Sequence, residues 1–561
     1  MEPDIRKGIQ EILTKLGFKD TDFSVEHPTD FSHGDYATNV ALVCAKQAEQ
    51  NPQELAQQIK DEIEGKIQFV SKIEIAGPGF INFHLDRDFF KEKIADIQTK
   101  DDLWGRNNSW KGKKVIVEYT DPNPFKEFHI GHLFTNSVGE SISRLFMMNG
   151  ADTKRANYQG DVGLHVANAL YGMKELSLDI DSNFSARDLG RAYALGATAY
   201  KESGEAQEKI REINKKVYDR SDEDINDLYD KGREVSLEYF ETIYKVIDTT
   251  FDEYFFESEA GPKGKELVES NPDIFVESDS ARIFEGEKYG LHTRVFLNKE
   301  GLPTYEAKEL ALAKMKEDSF GEYDHSVVST SNEINEYFKV LKKAMSFVYP
   351  ELEKKTEHIG HGTVRLSTGK MSSRTGDVIP AIDFIEEVAD TVAVKMDEGG
   401  KTAPSDELTK DIAIAAIKYA TLKGNILQDS VFDNEKALSF EGDSGPYLQY
   451  THARICSVLD KAKDVGIEAN TNNAPEMPYK LEKYLYQFEE VIKDALVERA
   501  PHKVVGFLTE LAGEFNSFYA QEKIADKDDE FAPYKVAVAE AVRQTLKNGL
   551  WVLAIKAPVS M

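Results

Sequence analysis

The 561-residue sequence predicts an α/β protein: a parallel-sheet domain split by a helical insertion, with an α+β domain before it and an α-helical bundle after it. Three observations predict this. The apolar run "KKVIVEYT" (113–120) leads through a tight loop into a helical pattern, the beginning of a strand–loop–helix unit. An acidic, helix-patterned stretch at about 169–280 interrupts that rhythm, which resumes at "YGLHTRVFLNKEGLPTYEAKELALAKMK" (289–316). From about 401 onward nearly everything reads as helix. The length exceeds what one hydrophobic core supports, and roughly three or four domains are expected.

Residues 1–108 are the first unit. "IRKGIQEILTKLGF" (5–18) has apolar residues at helical spacing, and "DYATNVALVCAKQA" (35–48) and "PQELAQQIKDEI" (52–63) add two more helices. "SKIEIAGPGFINFHL" (71–85) alternates as strands do around a Gly-Pro-Gly turn, and "KDDLWGRNNSWKGK" (100–113) is a polar connector. The second unit, 109–400, opens on a buried strand at "KVIVEYT", then the loop "DPNPFKEF" (121–128). "HIGHLFTNSVGESISRLFMMNG" (129–150) follows, with apolar residues at 133, 138, 142, 145 and 146 on one helical face and Gly150 as a stop. This is the first half of a nucleotide-binding βαβ unit of the Rossmann-like kind, and "ADTKRANYQGD" (151–161) supplies the next strand. The third unit, 401–561, is the bundle, with helices at "DELTKDIAIAAIKYATLK", "YLQYTHARICSVLDKA", "YLYQFEEVIKDAL" and "HKVVGFLTELAGEFNSFYAQ".

Composition narrows the function classes. No run approaches the roughly 18 to 20 apolar residues that span a bilayer, and "MEPDIRKGIQEIL" has no secretory h-region, so a soluble, cytoplasmic protein with no membrane partner is expected. Two cysteines, Cys44 and Cys456, support neither a disulfide framework nor a cysteine zinc site. The net charge of −30 argues at first against a nucleic-acid partner, since phosphates are met by Lys and Arg. The acid is uneven, however: 171–280 carries a net −13 and 401–561 only −6, which leaves room for local basic faces in the bundle.

In the loop and first helical turn at "NPFKEFHIGH" (123–132), His129 and His132 share a helix face beyond the strand's carboxyl end, where unpaired backbone N–H groups favour phosphate. Both imidazoles can donate to phosphate oxygens, and Gly131 permits close approach to the backbone. An isolated HxxH is as readily a surface pair or half of a metal site. In the other half of the interrupted domain, "STGKMSSRTGDV" (367–378) is a Ser/Gly-rich loop bearing Lys370 and Arg374, suited to stabilising charge on a polyphosphate.

These two segments, as "HIGH" (129–132) and "KMSSR" (370–374), resemble the signatures of the class I aminoacyl-tRNA synthetases. "VEYTDPNPFKEFHIGHL", "YQGDVGLH", "LPTYEAKEL", "FEGDSGPYLQYTHAR" and "RQTLKNGLWVLAIKAP", with "SHGDYATNVA" and "GPGFINFHL" in the first unit, resemble the arginyl enzymes over almost the full length. The resemblance implies a ligase. L-arginine and ATP, with Mg2+ accompanying it, form arginyl-adenylate and pyrophosphate. The arginyl group then passes to the terminal ribose of tRNA(Arg), releasing AMP. It implies Lys126, His129, His132, Lys370 and Arg374 as catalytic residues and Gly131, Met371, Ser372 and Ser373 as ATP contacts. The family's second signature usually has a lysine at its fourth position, where Ser373 stands. Arginyl enzymes lacking it often carry a lysine just before the first signature, the place of Lys126.

For the amino acid, the resemblance implies Glu118, Asn123, Tyr305, Glu309, Asp161 and His165. The acids would hold the planar guanidinium, Tyr305 would pack beside it and Asn123 would hold the amino end. The family usually has Asp where Glu309 stands. A substrate-contacting glutamine of the family falls at Asn332 or Glu333. His358 and His361 form a further HxxH without a metal-site pattern and are read as structural; no tightly bound, protein-ligated metal is expected. For the bundle, the resemblance implies anticodon binding, with Tyr447, Tyr450, Arg454, Asn516 and Tyr519 as tRNA contacts able to stack on splayed bases, and Gln449, His452, Phe515, Phe518 and Trp551 as further candidates. The first unit would meet the outer corner of the tRNA. A monomer is expected. The competing reading is a non-catalytic tRNA-binding or regulatory paralogue, against which the intact His129, Gly131, His132 and Lys370 speak.

Overall fold

The computed structural model describes residues 1–18, 21–181, 183–366, 379–398 and 405–561. They divide into two compact units, one comprising Met1–Trp104, Arg454–Glu489 and Glu510–Leu546, the other Gly105–Ala453, Glu490–Thr509 and Lys547–Met561.

In the first unit, a four-stranded antiparallel sheet runs in the order Val25–Glu26, Tyr36–Thr38, Phe80–Leu85, Val70–Ala76. The expected hairpin forms around Gly77 and Gly79, both at positive φ, and a Cβ on Gly79 would sit 3.0 Å from Pro52. Helix Pro52–Ile63 starts where the side chain of Asn51 accepts from Gln53 N–H and a proline occupies the first turn; it buries Leu55, Ala56, Ile59 and Ile63. Sequence reading passes over helix Arg87–Lys100, which is capped by Asp86 and buries Phe89, Phe90, Ile94 and Ile97. Its Arg87 reaches Glu482 at 2.6 Å, and Tyr534 donates to the same carboxylate at 2.6 Å. The N-terminal sheet and part of the helical C-terminal region therefore share one packed body. Tyr486 belongs to the same core as Ile5, Ile59 and Phe83.

The second unit holds a five-stranded parallel sheet in the order Thr356–His361, His325–Ser331, Lys114–Glu118, Asp152–Gln159, Glu253–Phe256. The chain moves outward from Lys114–Glu118 in one direction, then returns to lay down the last two strands on the other side. The winding thus reverses between the carboxyl ends of Lys114–Glu118 and His325–Ser331, where open α/β sheets bind ligands.

Two boundaries differ from expectation. The insertion consists of helices Leu164–Glu175, Ala186–Glu202, Gly204–Asp219 and Glu223–Val246, but Glu253–Phe256 already belongs to the main sheet, and Val276–Ser278, Ala281–Phe284 and Arg294–Leu297 form a small antiparallel sheet. Helix Asp406–Leu422, assigned by pattern to the bundle, packs Ile412, Ala413, Ala416 and Ile417 into one cluster with Phe128, Ile130 and Leu133. Its Lys418 is fully buried and donates to the carbonyls of Ile247 and Ala554 at 2.5 and 2.7 Å. Among the described residues no helix is long and apolar enough to cross a membrane.

Candidate active site

The loop leaving the central strand is under backbone strain. Thr120, Asp121 and Phe125 have φ of 80°, 43° and 66°, in the left-handed region that non-glycine residues avoid. Surrounding contacts hold it there. Asn136 donates to Thr120 at 3.0 Å, Asp121 accepts from Tyr158 N–H at 2.8 Å, and Phe125 N–H donates to Ser236 at 2.9 Å. Two glycines make room: a Cβ on Gly139 would lie 2.2 Å from Tyr119, and one on Gly232 would lie 2.3 Å from the Phe125 ring.

The loop delivers His129 as the N-cap of helix Ile130–Met148. Its Nδ1 accepts from Gly131 N–H at 3.1 Å, while Nδ1 of His132 accepts from His129 N–H at 3.3 Å, a reciprocal capping box made of histidines. The rings stack with centroids 3.7 Å apart. Burial, and then the neighbouring Lys126, pushes His129 down to about 4; burial, His129 and Lys126 hold His132 well below its usual value. Both are therefore neutral near pH 7, and with each Nδ1 accepting, the ring proton sits on Nε2, where it can be donated. Gly131 is needed first by the protein itself: a Cβ there would stand 2.9 Å from the His129 ring.

Lys126 makes no ion pair among the described residues; its Nζ lies 4.5 Å from the ring centroid of Tyr193. Lys370, Met371, Ser372, Ser373 and Arg374 lie outside the described residues. Residues 379–381, just beyond that segment, are pinned to the first signature. Ile130 N–H donates to Ile379 O at 3.2 Å, Ala381 N–H donates to Phe128 O at 2.8 Å, and Pro380 bridges to His129. The chain leaving the 367–378 segment thus lies alongside the mouth of the histidine-bearing helix.

A second cluster sits where the sheet winding reverses. Glu118, Glu309 and Lys316 are nearly fully buried, and Lys316 Nζ lies 2.7 Å from Glu118. Asp121 and Glu309 complete a set of three carboxylates around that single ammonium. Burial and then Glu118 push the Glu309 carboxyl up to about 8 and hold Asp121 well above its usual range. Glu309 has no ion pair among the described residues, and the buried hydroxyls of Tyr158 and Tyr337 lack hydrogen-bond partners there. Tyr305 packs on Tyr337 with ring centroids 5.2 Å apart. The cluster is short of positive charge, the complement of a guanidinium.

Not every expected contact keeps a free group. Glu118 is committed to Lys316. Asp161 already accepts from Ser258 N–H, Ser258 Oγ, Tyr229 and Arg233, so it braces the pocket wall rather than offering an open carboxylate. His165 Nε2 donates to Gly160 O at 2.7 Å; burial and Lys126 push it down to about 3. Asn123 faces Gly160, where a Cβ would come 2.4 Å from its Oδ1. His358 stacks on Phe338 at 3.8 Å and His361 contacts Thr135 at 3.0 Å, consistent with structural roles. Sequence reading missed Asp121, Lys316, Tyr158, Tyr337 and Tyr193. The basic residue seven positions after Glu309, on the same helix, was the one available signal for Lys316.

In the C-terminal region, Tyr447 and Tyr450 are half-buried on helix Gly445–Asp464 in the second unit. In the first unit, Arg454 hydrogen-bonds Asn516 and lies 5.7 Å from the ring of Tyr519, which is 40% exposed. Phe515 and Phe518 are buried, whereas Gln449 and His452 are structural, donating or bonding to the carbonyls of Lys556 and Pro558 at 2.9 and 2.8 Å.

Three family models match in succession: the arginyl tRNA synthetase N-terminal domain at 3–85, the catalytic domain of class I tRNA synthetases (R) at 93–434, and the DALR anticodon binding domain at 448–561. The arginine–tRNA ligase of Clostridium acetobutylicum is 29% identical, covering 98% of this chain and 99% of its own. That of Staphylococcus aureus (strain Mu3) is 30% identical, covering 98% and 97%. The solved arginyl-tRNA synthetase of Thermus thermophilus aligns over 100% of both chains with a TM-score of 0.79 at 24% identity, a likeness of fold. Because the catalytic-domain model alone spans more than half of its length, with the other two in order on either side, the chain belongs to the class I arginyl-tRNA synthetase family.

Proposed function

We propose that this protein activates L-arginine with MgATP and transfers it to tRNA(Arg). The arginine carboxylate attacks the α-phosphate, the bond to the β-phosphate breaks, and pyrophosphate leaves. A ribose hydroxyl of the tRNA then attacks the arginyl carbonyl, with AMP as leaving group. No side-chain nucleophile enters; the protein positions charge. Neutral His129 and His132 donate Nε2–H to phosphate oxygens, and Lys126 supplies the cation that Ser373 does not. Glu309, with Asp121 and Tyr305, receives the guanidinium, and Lys316 pairs with Glu118 behind it.

The observation that supports this reading is the pinning of 379–381, the first described residues after the second signature in sequence, against 128–130 at the first. Tyr519, with Arg454 beside its ring, is the best-exposed candidate for the anticodon loop. The family's usual cytoplasmic setting also suits Cys44 and Cys456, which form no disulfide. The test is pyrophosphate exchange with each amino acid, tRNA(Arg) included. Exchange that depends on arginine supports the reading, and exchange with any other amino acid, or none, refutes it.

A further inference from the structure

The insertion helix Ala186–Glu202 comes closer to the phosphate site than its sequence suggests. It begins with a capping box in which Ser185 and Asp188 bond reciprocally. It packs on helix Leu164–Glu175 almost backbone to backbone: a Cβ on Gly172 would stand 1.9 Å from Ala192 O, and one on Gly196 would stand 1.9 Å from Asn168 O. Two missing side chains thus fix its position against the helix that comes after "QGDVGLH".

Three residues at three-residue steps then face the loop before the first signature. Arg187 lies 3.7 Å from Glu127 and also pairs with Asp383, at the start of the helix that succeeds the pinned 379–381 segment. Gly190 leaves room for Glu127, whose carboxylate would be 2.9 Å from a Cβ there. Tyr193 offers its ring face to the Lys126 ammonium. An ammonium near two neutral imidazoles, with no carboxylate paired to it among the described residues, is held by the one attraction that does not neutralise it, that of an aromatic quadrupole.

We infer that Tyr193 is a positioning residue for amino-acid activation: the insertion helix holds Lys126 over the Tyr193 ring at the mouth of the signature helix, and Arg187 ties the same helix to Glu127 beside that lysine and to Asp383. The inference rests on the role proposed above for Lys126. A carboxylate in place of the ring would hold the lysine more strongly but would cancel its charge. The ring keeps the cation in place and leaves it available to a polyphosphate.

The experiment is a double-mutant cycle on the full chain, read by arginine-dependent pyrophosphate exchange with tRNA(Arg) present. Tyr193→Leu is expected to lower kcat by about threefold to tenfold, the size of one cation–π contact, with the arginine KM unmoved. Tyr193→Phe keeps the ring and is expected to stay within about twofold of the wild type. In a Lys126→Ala background, Tyr193→Leu should cost nothing further. Should Tyr193→Leu melt below the assay temperature, Tyr193→Met is read by the same criteria. A wild-type rate in the leucine variant, a phenylalanine variant as slow as leucine, or an equal penalty in the Lys126→Ala background overturns the inference. A wild-type enzyme without arginine-dependent exchange overturns the functional reading instead.

Discussion

Lys316 donates to Glu118 across 2.7 Å in the interior of the catalytic unit, and in the proposed site that bond decides which carboxylate is left for the substrate. Once the strand-end acid is paired, Glu309 remains as the buried acid without a counter-ion among the described residues. A close pair in one place leaves an unmatched acid beside it.

If Glu309 holds the guanidinium as proposed, this unmatched acid sets the pH dependence of arginine binding. A guanidinium needs an ionised carboxylate, and the Glu309 carboxyl, raised to about 8, holds its proton in most molecules below that pH. The arginine KM should therefore fall as pH rises, by more than about tenfold between about pH 6.5 and 8.5. Glu118, Lys316, Tyr305 and Glu257 act on the same carboxyl, as do Asp121, Tyr158 and Tyr337; Lys316 and Tyr305 pull it down, and Glu257 is already paired with Lys308. Glu309→Gln should raise the KM and flatten the profile, while Glu309→Asp should keep a slope. For stability the sign is opposite to the usual carboxylate: the folded state keeps a proton that the unfolded chain loses above its ordinary value of 4.5, so this group weakens the fold as pH climbs from there towards 8.

Removing Lys316 should be costly. Lys316→Met leaves Glu118 buried without its partner, and a loss of about 3–5 kcal/mol is expected from urea or thermal melts. The double change Lys316→Met with Glu118→Gln should recover much of it, because no uncompensated charge is left inside. Equal losses in the single and double variants would show that the pair is not the source.

Lys126→Ala should slow arginine activation by more than tenfold, about 1.4 kcal/mol of transition-state stabilisation. Since the ammonium has no carboxylate partner to strand among the described residues, the melting temperature should move little. Steady-state exchange with a parallel thermal melt separates these outcomes.

Gly232→Ala tests the strained loop. The added methyl would meet the Phe125 ring at 2.3 Å, and Phe125 is fully buried. A loss of about 1–3 kcal/mol is expected from overpacking, together with slower activation, because any shift of Phe125 also moves Lys126 and His129. A stable but slow variant would place the strain in function rather than in folding.

The frame of the site was legible because it is local. An apolar run ending in Glu118, a loop with two prolines and a helical repeat after His129 lie in one stretch, and each signals its own conformation. The two halves of the interrupted domain were likewise visible as strand patterns on either side of an acidic helical block. What escaped were relations across distance. Glu118 and Lys316 pair over almost two hundred positions, and no periodicity marks such a bond. The strand Glu253–Phe256 is four residues long in an acid-rich context, too short to alternate visibly. Helix Asp406–Leu422 is apolar on most of its faces, which shows that it is buried but not which body buries it. Tyr193 looked like one aromatic among many on an amphipathic helix, and only the fold brings it under Lys126.

Residues 554–558 carry more than their appearance suggests. Lys418, Gln449 and His452 all bond to carbonyls supplied between Ala554 and Pro558, so removing these residues would cost each of three interior polar groups one hydrogen bond, about 0.5–1.5 kcal/mol apiece. This short run is a strip of acceptors on which side chains from two helices, Asp406–Leu422 and Gly445–Asp464, converge.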